Sequence, residues 1–384
     1  MTSSNLSRRQ LLRRLGAIGA SSAAAPWLAN LAAMTPAHAS GGNYKALVCL
    51  FMYGGNDAYN TVLPTDTASW NAYLAARNCG DDPIALAALN APPNKGGGFN
   101  ASLGGVLAIA PRNSQGRTFA VHPSLGAVRD LFGAGRVAVV PNVGPLVQPT
   151  KKRNLATAVL PPKLMSHNDQ QSVWQSMQPE GATVGWGGAM ADCFGGNRNP
   201  IFTSISTGPS AVWLSGRQVR PYSLSLQGPI QVGSATGALY GSTVAQQALT
   251  QIMGSTREAQ WFEQDHATVV NRSMDAYKIL GPAFPKAGAG PWGTADLPDG
   301  HVDPLLCYTA PSSGQSVLNP YSAQLQAVAR MIAAQSAAGV SRQIFFVGVQ
   351  GFDTHDGQNT RHADMLAAVA QAMSYWDTTT RSMG

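Results

Sequence analysis

Three uninterrupted apolar runs divide the chain. The first, Ala46-Leu47-Val48-Cys49-Leu50-Phe51-Met52-Tyr53, stops at Gly54-Gly55-Asn56-Asp57. The second covers Arg136 to Val140, follows a helix-like Ser124 to Phe132 and ends at Pro141. The third, Gln343 to Val349, is reached through a long amphipathic segment from Tyr321 to Ala338 and stops at Gly351. Apolar runs without alternation predict strands covered on both faces, as in a parallel sheet. Strands that alternate with helices predict an α/β fold. Between the second and third runs, residues 181 to 240 hold only short apolar patches, among them Ile201 to Ile205, Ala211 to Leu214 and Tyr222 to Leu226, which read as short strands or an insertion. Residues 243 to 280 are helix-like, and 281 to 320 form a Pro/Gly-rich stretch too long for a plain connection. There is no repeat and no clear linker. One large domain over 40 to 384, with 181 to 320 as an insertion and helical/loop region, is the economical expectation.

The N-terminus changes that picture in one respect. Ser7-Arg8-Arg9-Gln10-Leu11-Leu12 precedes a mildly apolar, Ala-rich stretch from Leu15 to Met34, and Ala37-His38-Ala39 follows. A basic segment, an apolar segment and a small-x-small site are the parts of a secretory signal, and the paired arginines make it a twin-arginine signal over 1 to 39. Pro26 and the Gly/Ser content break the stretch short of the ~20 consecutive apolar residues a membrane span needs. The expectation is a periplasmic or secreted protein, exported through the twin-arginine translocase, with no stable membrane span. That route carries folded proteins, often around a cofactor, which raises the expectation of a metal or cofactor site.

Composition supports a loop-rich globular chain: of 384 residues only 12% are charged, and Gly (41) and Pro (25) are abundant. The formal charge of +7 suggests nucleic-acid binding until its distribution is read. Arg8, Arg9, Arg13 and Arg14 lie in the leader, and removing them from the 26 basic residues leaves 22 − 19 = +3. Only Lys151-Lys152-Arg153 forms a basic run, so the footprint of a DNA or RNA binder is missing. Cys49, Cys79, Cys193 and Cys307 are too far apart for a zinc-knuckle pattern. Cys49 reads as a small buried hydrophobe, and the other three leave room for one disulfide in an oxidising compartment.

Ligands of open parallel sheets bind beyond the carboxyl ends of the strands. The first run leads into Gly54-Gly55-Asn56-Asp57-Ala58-Tyr59-Asn60 and the third into Gly351-Phe352-Asp353-Thr354-His355-Asp356. Asp353 with His355 is a donor set suited to Zn²⁺ or Mn²⁺, against the plainer reading of an ordinary loop. Asp57, taken alone, reads more simply as a turn residue that caps the next helix. The dense patch Met165-Ser166-His167-Asn168-Asp169-Gln170-Gln171 sets a hydroxyl beside an imidazole. Neighbours in sequence rarely make a nucleophile–base pair, but a nearby metal can activate the hydroxyl instead. Alternatively Ser166 is an N-cap. His122, in Ala120-Val121-His122-Pro123, is either a supporting group of the site or a structural residue at a helix start. The chain has no G-x-S-x-G, H-E-x-x-H, P-loop or strand-linked G-x-G-x-x-G motif, which lowers the expectation of serine esterases, zincins, NTPases and dinucleotide enzymes.

Five separated motifs, Leu50-Phe51-Met52-Tyr53-Gly54-Gly55-Asn56-Asp57-Ala58-Tyr59-Asn60-Thr61, Val121-His122-Pro123-Ser124-Leu125, Ser166-His167-Asn168-Asp169-Gln170, Gly351-Phe352-Asp353-Thr354-His355 and the leader, resemble the exported bacterial domain-of-unknown-function family 1501. That family is placed with the alkaline phosphatases and sulfatases. The resemblance implies a three-layer α/β/α sandwich with a mostly parallel sheet and a two-metal centre, where a Ser/Thr-type nucleophile attacks a phosphate or sulfate ester. It implies Asp57, Asp353 and His355 as metal ligands and Ser166 as the nucleophile; the residues themselves add His167 as a catalytic candidate, Zn²⁺ or Mn²⁺ as the metal, and Asn56, His122 and Asp169 as further candidates. Two departures stand out. Four residues past Asp353 lies Gly357, where the superfamily commonly has His, and the chain reaches Gly384 without the family's Phe-Gly-Arg and Asp-His-Gly elements. The expectation is a truncated sequence or a remnant.

Three functions follow as expectations: a metal-dependent hydrolase of small or polymeric phosphate or sulfate esters; a non-catalytic exported protein that keeps the fold for binding or surface assembly; and a sugar- or polymer-binding protein that uses Trp186, Trp213 and Trp292 as exposed platforms.

Overall fold

In the computed structural model the described residues are 44–233, 237–255, 260–294 and 302–384; the leader expected over 1–39 lies outside them. The chain runs through β1 (Lys45–Met52), β2 (Val62–Pro64), α1 (Thr67–Arg77), α2 (Phe99–Ser102), β3 (Leu107–Ile109), β4 (Phe119–Val121), α3 (Gly126–Gly133) and α4 (His167–Ser176). Then come α5 (Trp186–Ala191), β5 (Ser204–Ser206), β6 (Tyr222–Ser223), α6 (Thr243–Gly254) and α7 (Trp261–Leu280). The last stretch holds β7 (Cys307–Thr309), β8 (Ser316–Leu318), α8 (Pro320–Ala333), α9 (Gln335–Ala338), β9 (Arg342–Val349) and α10 (Gln358–Met383). The fold is mixed α/β with a parallel sheet.

Two compact units divide these elements: Gln175–Pro285 and Met331–Phe346 with the chain up to Cys49, and Leu50–Trp174 with Lys286–Arg330 and Val347–Gly384. In the first, the strand order is β1-β9-β5-β6. β5 pairs in parallel with β9, Ile205 opposite Phe345, and with β6, Ile205 opposite Tyr222. The unalternated run of β9 is buried along seven of its eight residues, as its sequence predicts for a central strand. β1 departs from that expectation and is half-buried throughout, because it forms an edge of the sheet. Residues within 181–320 supply both β5 and β6, so part of the segment read as an insertion belongs to the main sheet. Of its apolar patches, Ala211 to Leu214 is a tight helical turn rather than a strand. Trp213 is fully buried there, edge-on to Trp186 at 5.0 Å between ring centres.

The second unit carries a three-stranded antiparallel sheet, β2-β4-β3, and the hairpin β7-β8. Leu63, Leu86, Val106 and Ala120 form a small core under the three strands, closed by Trp70 and Tyr73 of α1. α10 buries a stripe of mostly small residues, Ala363, Leu366, Ala370 and Ala372 among them. The strand expected over Arg136–Val140 is absent: these residues join no sheet, and Val140 is exposed. An apolar run becomes a strand only where another strand supplies the ladder, and here Arg136 instead pairs with Asp377 of α10. Trp292 is buried, as Trp213 is, which removes two of the three aromatic platforms on which sugar binding was expected. All four cysteines are free. Among the described residues no helix is long and apolar enough to cross a membrane.

Candidate metal centre

The loops after β1 and β9 meet because the backbone pairing continues past the strand ends. The Tyr53 amide donates to the Val349 carbonyl at 3.1 Å, and the Phe352 amide donates to the Tyr53 carbonyl at 3.1 Å. Gly54 follows at φ +117°, and a Cβ built there would lie 2.3 Å from the Asp353 amide nitrogen. Only glycine allows this approach, both for its left-handed backbone and for the missing side chain. Gly351 turns with a similar φ of +127°. The two glycine-led turns thus fix where Asp353 sits.

Asp353 is the centre of a small cluster. Its Oδ2 lies 2.9 Å from His355 Nε2 and 3.4 Å from His167 Nε2. The ligand atoms of all three residues fall within 4.8 Å of one another, and all three side chains are exposed. His355 holds φ at +33°, a backbone region that costs energy for a residue with a Cβ. The other ring nitrogen of His167, Nδ1, lies 3.2 Å from the Gly54 carbonyl. A proton on Nδ1 donated to that carbonyl leaves the Nε2 lone pair facing Asp353, the arrangement by which a backbone carbonyl orients a ligating histidine. Two imidazoles and one carboxylate match Zn²⁺ or Mn²⁺ chemistry and leave coordination positions open to water or substrate.

The remaining predicted residues have other partners. Ser166 lies directly before α4; its hydroxyl donates to Asp169 Oδ2 at 2.7 Å, and Lys163 Nζ approaches the same carboxylate at 3.4 Å. The same hydroxyl accepts from the Asp169 amide at 3.4 Å, the N-cap reading of Ser166, and this places His167 at the first turn of the helix. Asp57 caps the turn Ala58–Asn60: its Oδ1 accepts from the Tyr59 and Asn60 amides at 3.1 and 3.3 Å. Its Oδ2 pairs with Arg77 and accepts from Gln358 Nε2 at 2.6 Å. Asp57 is therefore not brought into the cluster. With both oxygens engaged and a guanidinium balancing the charge, it holds the loop.

His122 is buried, and its Nδ1 accepts from the Ser124 amide at 3.0 Å, the structural alternative for this residue. Burial, reinforced by the neighbouring His362, pushes its pKa down to about 3. The two rings meet edge to face at 5.8 Å. His362 did not emerge from the sequence reading. Its Nε2 lies 3.0 Å from Asn56 Oδ1, its ring packs edge-on against Phe352 at 6.2 Å, and burial lowers its pKa. The signal lay in α10, where Gln358, Asn359 and His362 share one face of a helix otherwise lined by small apolar residues. Each clasps a different loop: Gln358 holds Asp57, Asn359 donates to Asp82 at 2.7 Å and accepts from Asn100 at 2.6 Å, and His362 holds Asn56. The first turns of α10 thereby fix the ground on which the glycine-led loops stand.

A family model described as "Protein of unknown function (DUF1501)" matches residues 44–380. No curated protein and no solved structure matches the chain.

Proposed function

The chain belongs to the DUF1501 family, and from that premise we propose that it is an exported, metal-dependent hydrolase of phosphate or sulfate esters, of the alkaline-phosphatase-like type. The observation that carries this reading is the convergence of His167 with Asp353 and His355, from two distant segments, within 4.8 Å. Zn²⁺ or Mn²⁺ held there supplies Lewis-acid stabilisation of charge on an ester oxygen. Around it, His167 is oriented by the Gly54 carbonyl, and Asp353 by the close packing of its amide on Gly54. Ser166, one residue before a ligand, offers the oxygen that bonds to the ester's phosphorus or sulfur as the bond to the leaving alcohol breaks, and Asp169 at 2.7 Å accepts the Ser166 proton. Residues 1–39 serve as a twin-arginine leader that delivers the folded protein to the periplasm or beyond.

The test is metal content and turnover measured together. Purified protein should hold close to one Zn²⁺ or Mn²⁺ per chain, lose it in Asp353→Ala, and hydrolyse p-nitrophenyl phosphate or p-nitrophenyl sulfate in a chelator-sensitive way. Protein that takes up no metal, and whose melting temperature Zn²⁺ does not move, overturns the reading. Metal uptake without turnover of either ester favours the non-catalytic exported binding protein instead.

A further inference from the structure

A cleft of about 410 Å³ lies in the parallel-sheet unit, and none of the residues of the metal centre lines it. Apolar Phe194, Ile201 and Val219 line it together with Arg220 and Arg272. Its size lies within the roughly 300–1,000 Å³ of small-molecule sites.

The charges in the cleft are unbalanced. Asp192, its carboxylate, is committed to the backbone: Oδ2 accepts from the Arg217 amide at 2.7 Å, and Oδ1 from the Gln218 and Val219 amides at 3.0 and 2.8 Å. These bonds pin the loop that carries Arg220. Arg272, half-buried on α7, donates from Nη2 to the Arg220 carbonyl at 2.8 Å, which fixes its guanidinium against the same loop and leaves its other donors unused among the described residues. Among the described residues neither arginine forms an ion pair with a carboxylate. Two arginines, one of them held by a hydrogen bond to the backbone of the other, therefore line a cleft whose single carboxylate is already committed.

We propose that this cleft binds a small organic oxyanion, a phosphate, sulfate or carboxylate carried on an apolar body, with Arg220 and Arg272 as its donors. Planar guanidinium groups match the paired oxygens of such anions, and the apolar lining accepts the rest of the molecule. Burial and the charge of Arg220 both pull the Arg272 pKa below its usual value, so an incoming anion relieves a repulsion that the folded chain otherwise carries. The site is independent of the metal centre.

Calorimetric titration of the full chain, with chelator present so that a metal cannot capture the probe, tests this directly. Phenyl phosphate, phenyl sulfate or benzoate should bind, more tightly than inorganic phosphate and unlike phenol, with affinity falling as salt rises. Arg272→Met should weaken binding tenfold or more, and Arg220→Met, at an exposed position, should do the same without a folding risk. Asp353→Ala should bind like the unaltered protein, which separates this site from failure of the hydrolase reading. Three results would each overturn the proposal: no binding by any of the three organic anions, equal affinity for inorganic phosphate and phenyl phosphate, or equal affinity in both arginine variants and the unaltered chain.

Discussion

Acid should weaken this protein through His122 in a way that one substitution removes. The imidazole is buried, accepts the Ser124 amide on Nδ1 and faces a second imidazole, so the folded state keeps it neutral down to about pH 3. In the unfolded chain the same ring takes up its proton near its ordinary value of 6.5. Between those values the unfolded state binds more protons, so stability is fully present above 6.5 and falls as the pH drops toward 3. One pKa unit corresponds to ~1.4 kcal/mol, so His122 alone should remove ~2 kcal/mol at pH 5 and ~3 kcal/mol at pH 4. His122→Asn retains an acceptor for the Ser124 amide and cannot ionise. Urea unfolding of both proteins at pH 7 and pH 5, followed by circular dichroism, isolates the effect, because the carboxylates titrate alike in both. The unaltered chain should lose ~2 kcal/mol more than the variant over that interval. Parallel losses would refute the argument, as would an NMR titration in which the His122 ring protonates near pH 6.

Other substitutions test the frame of the metal centre. Gly54→Ala puts a Cβ 2.3 Å from the Asp353 amide in a left-handed backbone and should cost ~2 kcal/mol or more, whereas Gly55→Ala, whose Cβ meets nothing within 4 Å, should melt near the unaltered temperature. Asp57→Asn leaves Arg77 without its counter-charge and should cost ~1–3 kcal/mol in denaturant unfolding. It should nonetheless retain metal uptake, and loss of metal in a folded variant would make Asp57 a ligand. Phe345→Ala, at the fully buried centre of β9, should cost ~3–5 kcal/mol, with a chemical-denaturation midpoint lowered at unchanged slope.

Parts of this molecule are legible in its sequence. The glycine-ended apolar runs at 46–53 and 343–349 marked β1 and β9, and the loops that follow them carry Asp353 and His355. A helical pattern over 243–280 was legible as well, though it resolves into two helices. The run at Arg136–Val140 carried a similar apolar signal and formed no strand, since apolarity alone does not supply a neighbour to pair with. The same limit applied to the tryptophans: residue type does not say which aromatic lies inside, and Trp213 and Trp292 do.

The roles of the polar residues were decided in space. Sequence set Asp57 and Asp353 in equivalent places, each just past a strand and a glycine turn. What separates them is the company each keeps: Arg77 and Gln358 reach one, while His167 and His355 reach the other. His167 moved from neighbour of a hydroxyl to member of the cluster because α4 begins at that residue and its ring reaches the Gly54 carbonyl 113 positions away. The sequence by itself determined the strand ends, the glycines and the kinds of donor available, all of which follow from local sterics and side-chain chemistry. Only the tertiary structure decided which carboxylate is neutralised by a guanidinium and which stands open among imidazoles, because Coulombic and hydrogen-bond partners depend on distance through space, which chain separation does not encode.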